Sequence, residues 1–335
     1  MKALVVEEPG KAAVREIAPP HRGEGEVLLQ VRLVGMCGSD MTTYLGRNPM
    51  VSYPRVLGHE IAATVVDGGD SGLVTGTNVT LSPYTACGLC PACLRGRANA
   101  CQFNQTLGVQ RDGGMTEYIS VPARNVYPSQ LPLEALALVE PLTVGAHAIG
   151  RGRVEADDTV AVFGCGGVGL GAIAAAAYRK AKVIAIDRDD DKLEIARKSG
   201  ATHLLNVDTA DLHENLKRWT EGRGPDVFVE AVGLPQTFRA AVEEVAFTGR
   251  VVYIGYAKEP VAYETRLFVQ KELDILGARN AQPEDFRFVM DMLEHGSFPV
   301  QDAVSTTVDI DDAPAILAEW SAHPGKFTKI QVRLN

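Results

Sequence analysis

The stretch that decides the fold reads Thr159-Val-Ala-Val-Phe163, then Gly164-Cys-Gly166-Gly-Val-Gly169, then an alanine-rich run from Ala172 to Ala177, then Lys182-Val-Ile-Ala-Ile186-Asp187. A short β-branched run, a glycine turn, an apolar helix and a second apolar run make a β-α-β unit. Gly164 permits the tight turn, Gly166 lets the backbone approach a pyrophosphate, and Gly169 lets helix and strand pack closely. A helix opening at Gly167 and Val168 points unpaired N–H groups and a positive dipole end at the phosphates. A glycine turn alone suits any α/β protein. The strand before it, the helix after it and an acidic Asp187 about 20 residues on carry the nucleotide reading. Asp187 would accept hydrogen bonds from the ribose hydroxyls of NAD and repel the extra phosphate of NADP, while Arg188 beside it leaves NADP open. Val232 and Gly233, and Ile254 and Gly255, at the ends of two later strands, are taken into the same cofactor site.

Outward from this unit the rhythm continues. Strands expected at His203–Val207, Val227–Val232, Val251–Ile254 and Leu273–Leu276 alternate with helices at Asp189–Ser199, Asp211–Thr220 and Pro235–Ala246, which means a parallel sheet. Beyond Gly277 come helices at Pro283–Glu294 and Asp312–Ala322 and a last strand at Phe327–Val332. The first ~140 residues are instead β in character, with runs at Leu4–Val6, Val27–Val34, Ile61–Val66 and Asn78–Leu81.

The chain has 335 residues, 46% of them hydrophobic and 22% charged, an ordinary globular composition for about two domains. A net charge of -9 offers no basic face to nucleic acid. No apolar run approaches the ~20 residues that span a bilayer, and the N-terminus turns acidic too early for a signal peptide. A cytoplasmic address is expected, where clustered cysteines are metal ligands more often than disulfides.

Cys87-x-x-Cys90-x-x-Cys93 with Cys101 after seven more residues is the strongest signal in the chain. Four thiolates on one loop match the tetrahedral preference of zinc, and a closed four-cysteine site is structural. An iron–sulfur cluster of bacterial type would place its fourth cysteine after three residues and before a proline. Here the spacing is longer and Gln102 follows. A second group is looser: Cys37 between glycines, His59-Glu60, and Glu140 in an apolar stretch where an unpaired charge would be costly. One thiolate, one imidazole and one or two carboxylates leave an open position, as a catalytic zinc does.

With these segments in hand, the chain resembles the zinc-dependent medium-chain alcohol/polyol dehydrogenases. Cys37-Gly-Ser-Asp40, Gly58-His-Glu60, the four-cysteine loop, Asp112–Tyr118, Glu140-Pro-Leu142, Gly164–Gly169 and Asp187 stand in the family's order and cover almost the whole chain. Glu140, where alcohol dehydrogenases of this family carry a cysteine, places it with the sorbitol, threonine and sugar dehydrogenase branch. The segment Ser39–Glu60 most resembles bacterial hexonate 5-dehydrogenases, such as those acting on L-galactonate or L-gulonate.

The resemblance implies an α/β chain of two domains. A GroES-like, β-rich catalytic zinc domain would comprise residues 1–143 and 280–335, and an NAD-binding Rossmann domain with a doubly wound parallel sheet residues 144–279. It implies two zincs per chain, NAD, a small-molecule substrate, and a homodimer or homotetramer joined through Leu273–Gly277. Cys37 and His59 would hold the catalytic zinc. Either Glu60 or Glu140 would complete it, the other binding the zinc water or exchanging with it. Ser39 matches the hydroxyl that takes the alcohol proton, and Arg279 an arginine near the substrate. Thr42 stands where many relatives have a relay histidine, so the relay's last member stays open between Thr42, water and the ribose. Arg47, Arg55, Arg111 and Arg279 are the candidates for a hexonate carboxylate. The expected activity is oxidation of a secondary hydroxyl of a polyol or sugar acid. L-threonine or a short-chain alcohol is the enzymatic alternative, and a non-catalytic NAD-binding sensor the alternative of another class.

Overall fold

The structure, a computed structural model, describes residues 1–334 and divides into two compact units. The first joins Met1–Glu140 to the C-terminal stretch from Val300, and the second is Pro141–Pro299. The expected boundaries at 143/144 and 279/280 therefore move. The helix Pro283–Glu294, expected in the catalytic domain, belongs to the second unit, where Asp285 bonds His147 at 2.7 Å and Asp291 bonds Tyr178 at 2.7 Å. Asn335, the last residue of the expected catalytic domain, lies outside the described residues.

In the first unit, the strand Glu26–Met36 is the centre of a seven-stranded sheet. Its residues alternate, burying Val27, Leu29, Val31 and Leu33 on one face, as a period-2 strand over a core does. It pairs antiparallel with Glu60–Asp67 on one side, setting Gly35 opposite Glu60, and with Ile330–Arg333 on the other, setting Met36 opposite Ile330. Three segments far apart in sequence thus meet at one end of one strand. Asn78–Leu81, together with Tyr118–Pro122, Val126–Pro128 and Thr306–Asp309, which no long apolar run announces, completes the sheet.

The helix Leu133–Arg151 was also hidden, because Pro141 interrupts its pattern; the helix nevertheless runs through the proline. It is long and apolar enough to cross a membrane, which corrects the expectation that no such run exists, but 78% of its apolar window is buried inside the protein, as in a core helix.

The second unit is built on six parallel strands in the spatial order His203–Asn206, Lys182–Asp187, Thr159–Phe163, Val227–Glu230, Arg250–Tyr253, Asp274–Gly277. This is the 3-2-1-4-5-6 order of the dinucleotide-binding fold, in which ligands bind at the carboxyl ends where the order reverses. That point lies between Phe163 and Glu230, directly before the glycine turn and Val232-Gly233. Ala161, Ile184, Phe228 and Val251 are buried in its core.

Candidate active site

Cys37 follows the central strand of the first unit and opens a short helix, Gly38–Tyr44. Asp40, one turn in, is buried and accepts from the Cys37 N–H at 2.8 Å and from the Gly58 N–H at 3.3 Å. One carboxylate thereby ties the cysteine to the segment that carries His59. The cross-strand partner of Gly35 is Glu60, and a Cβ on Gly35 would lie 2.0 Å from a Glu60 carboxylate oxygen, so only glycine leaves room for that side chain. The ligand atoms of Cys37, His59 and Glu60 all lie within 4.8 Å of one another. Glu140 stands beside this group. It is buried and accepts a short hydrogen bond from the Tyr84 hydroxyl.

Lys329, just before the C-terminal strand, brings its ammonium 2.7 Å from both oxygens of Glu60 and donates to the Met36 carbonyl at 3.1 Å. Both partners of this ion pair are buried. Cys37, Asp40, Glu60 and Glu140 put more acidic groups here than the one Lys329 ammonium can balance, a deficit that a divalent cation would meet. The protonation equilibria express the same deficit. Burial pushes Glu140 and Asp40 up. At His59 burial opposes the charge, but Cys37, Asp40 and Glu140 hold the imidazole well above its usual value. His59 Nδ1 and Ser39 Oγ are buried with no hydrogen-bond partner. A soft-to-borderline cation with open coordination fits this donor set.

The four-cysteine loop is built differently. The sulfurs of Cys90 and Cys93 are 3.5 Å apart and those of Cys90 and Cys101 3.9 Å. A tetrahedron with Zn–S of ~2.3 Å has edges of ~3.8 Å, whereas a disulfide would need ~2.05 Å. Backbone N–H groups of Leu89 and Cys90 point at the Cys87 sulfur, and that of Phe103 at Cys101. N–H donors from Cys93 and Gln102 lower the Cys90 thiol to about 6. Burial and the neighbouring Cys90 push Cys93 up to about 12. A Cys93 thiolate is therefore costly unless a cation lies beside it.

In the second unit the glycine turn is shaped for a dinucleotide. Gly164 has φ +101°, and a Cβ on Gly169 would lie 1.8 Å from the Gly164 carbonyl. Gly166 has no atom within 4 Å of where a Cβ would be, leaving the approach to the backbone open. The helix Gly167–Tyr178 starts where the sequence indicates. Asp187 ends the second strand, and its carboxylate accepts from the N–H groups of Cys165 at 2.6 Å, Arg188 at 2.7 Å and Asp189 at 3.2 Å. Glu230, buried at the end of the fourth strand, shapes the adjoining turn by accepting from Val232, Gly233 and the Thr237 hydroxyl at 2.7–2.9 Å. A Cβ on Gly255 would be 2.5 Å from both Glu230 and the Gly233 nitrogen, so these two turns pack backbone to backbone; Ile254 donates to the Glu230 carbonyl at 2.9 Å.

Asp40, Tyr84, Lys329 and Glu230 were not singled out by sequence. Asp40 carried a signal, as the acidic third residue of a helix opened by Cys37. Tyr84, Lys329 and Glu230 carried none, because what makes them relevant is a contact with a distant or reversing segment. Thr42 donates its hydroxyl to the Ser39 carbonyl at 3.0 Å. Arg279 is exposed after the last strand of the second unit, and Arg55 is already paired with Asp112 at 2.9 Å.

Residues 23–132 match the alcohol dehydrogenase GroES-like domain, and residues 167–295 the zinc-binding dehydrogenase family. Among curated relatives, L-galactonate-5-dehydrogenase of Escherichia coli (strain K12) is 34% identical over 299 residues, covering 88% of each chain. Among solved structures, a short chain alcohol dehydrogenase from Escherichia coli CFT073 complexed with NADH superimposes with a TM-score of 0.91 at 30% identity, covering 100% of this chain and 99% of that one. A zinc-binding dehydrogenase from Sinorhizobium meliloti 1021 bound to NADP gives 0.92 at 28% identity, covering 99% of each. With its two zinc donor sets and its nucleotide turn, the chain belongs to the zinc-dependent medium-chain alcohol/polyol dehydrogenases, oxidoreductases that work with a nicotinamide cofactor.

Proposed function

We propose that this dehydrogenase oxidises a secondary hydroxyl of a polyol or sugar acid, with hexonates as the leading class and NAD as the hydride acceptor. The observation that carries the reading is the convergence of Cys37, His59 and Glu60 from two strands into one donor set, with Glu140 beside it. When bound, zinc supplies Lewis acidity that lowers the pKa of an alcohol, and NAD accepts the hydride. Cys37, His59 and Glu60 would hold the metal. Lys329 fixes Glu60, and Tyr84 fixes Glu140 at the edge of the site. Ser39, whose buried Oγ has no partner, takes the alcohol proton. The Thr42 hydroxyl can pass no proton without giving up its bond to the Ser39 carbonyl, so water or the ribose carries it outward. Arg47, Arg55, Arg111 and Arg279 are the groups proposed to meet a hexonate carboxylate; Arg55 also pairs with Asp112 and Arg111 with Thr85 at 2.9 Å.

The L-galactonate relative supports the sugar-acid reading. In the second unit, the edge strand Asp274–Gly277 with Ile275 40% exposed supports a homodimer or homotetramer, which sedimentation would distinguish. The deciding experiment is NAD reduction by the zinc-loaded protein with a panel of polyols, aldonates and L-threonine. Turnover of aldonates or polyols is expected. Preference for threonine would move the substrate class, and no turnover with any, despite two bound zincs, would favour an NAD-binding sensor.

A further inference from the structure

The nucleotide unit carries a charge arrangement that family membership does not settle. Asp187 has three of its carboxylate lone pairs occupied by the N–H groups of Cys165, Arg188 and Asp189. A carboxylate offers about four such sites, so Asp187 can take one more hydrogen bond, enough for a ribose hydroxyl. Arg188, its neighbour, is the residue type that a 2′-phosphate attracts. Its Nε, however, lies 3.1 and 3.0 Å from the two oxygens of Asp208.

That contact is more than a chance meeting of two mobile side chains. Asp187 and Asn206 are register partners at the ends of adjacent parallel strands. Asn206 donates its side-chain amide to the Arg188 carbonyl at 3.1 Å and to Asp190 at 2.8 Å. Its amide oxygen accepts the Asp208 N–H at 3.0 Å. One asparagine thus holds the backbones of Arg188 and Asp208 side by side.

We propose that Asp208 is a specificity-determining residue that selects NAD over NADP by engaging Arg188, the guanidinium that a 2′-phosphate would otherwise attract. The inference rests on the nucleotide reading of the Gly164–Gly169 turn and goes beyond the expected role of Asp187. Both side chains are substantially exposed, Arg188 at 74% and Asp208 at 50%, so the pair itself adds little stability. Its effect is on the charge available to a ligand. With Asp208 in place, the charge of Arg188 is offset and its Nε–H is taken, so a phosphate meets a weakened partner. Without it, the guanidinium offers its full charge to a phosphate.

The test is calorimetric titration of the zinc-loaded full chain with NAD and with NADP, so the readout is binding and not turnover. Asp208→Asn keeps the backbone bond to Asn206 and removes the charge. It is expected to tighten NADP binding about 3–10-fold relative to NAD. In an Arg188→Ala background the same change should give no such gain. An unchanged NADP to NAD ratio in Asp208→Asn, with Asp187→Ala still narrowing the preference, overturns the proposal and leaves the nucleotide reading intact. A gain that persists without Arg188 overturns the engagement of the arginine. If the unmodified chain binds neither nucleotide, the reading of the turn falls, and the proposal with it.

Discussion

The two candidate metal centres of the first unit are built by opposite means. The four-cysteine loop draws its donors from fifteen consecutive positions, Cys87 to Cys101, and its sulfurs are stabilised by N–H groups of the same loop. The Cys37 centre draws on the end of one strand, the start of a second, a helix and the residue before the C-terminal strand. Its charges are balanced by distant side chains, Lys329 on Glu60 and Tyr84 on Glu140. A closed, local, all-thiolate site has one task, holding a loop. An assembled site with carboxylates to spare and an unpartnered Ser39 hydroxyl has room for a reacting group.

Substitutions can break this contrast. Cys37→Ser or His59→Ala should lower turnover by about a thousandfold or more, since several kcal/mol of charge stabilisation are lost with the metal. NAD binding, measured by fluorescence, should persist in both. Retained turnover in either variant would sink the assignment of this centre as catalytic. Lys329→Met removes one partner of a buried ion pair, which costs ~3–5 kcal/mol. The loss should be largest in denaturant melts of chelated protein, where no cation replaces the ammonium. Equal stability with and without Lys329 would mean that Glu60 is balanced by something else.

Cys90→Ser acts on the other centre. Metal analysis should find one zinc per chain in place of two, with a melting temperature lower by roughly 5–10 °C for ~2–3 kcal/mol lost. Abolished turnover in a protein that retains its fold and one zinc would erase the distinction between the two sites. The smallest effect is expected from Tyr84→Phe, which deletes one hydroxyl donating to a carboxylate, worth ~1.5–3 kcal/mol. It should reduce kcat/KM about 10–100-fold while the zinc count stays at two. The absorption of a cobalt-substituted enzyme should shift if Tyr84 positions Glu140. An unchanged spectrum together with unchanged kinetics would leave Tyr84 a packing residue.

How much could be read in advance follows the same division. The glycine turn, Asp187 and the alternation of strands and helices were legible because they depend on local period and on neighbours in the chain. Helix Pro283–Glu294 was placed to the residue, yet assigned to the wrong unit, because its bounds are set by a proline and a periodic face while its partners, His147 and Tyr178, lie over a hundred residues away. The helix Leu133–Arg151 was missed because a proline ordinarily ends one.

Sequence by itself determined the four-cysteine loop, the dinucleotide turn and the types of donor available at Cys37, His59, Glu60 and Glu140. Only the tertiary structure shows which groups are packed against those donors. Antiparallel pairing of Gly35 with Glu60 and of Met36 with Ile330 brings Glu60 into the Cys37 and His59 group and Lys329 onto Glu60, while Tyr84 takes Glu140. Parallel pairing of Asp187 with Asn206 likewise carries Asp208 to Arg188. The reason is physical. A residue's chemistry is fixed by its side chain, but its charge state and its freedom to act depend on what is packed against it, and strand pairing supplies those neighbours from anywhere in the chain.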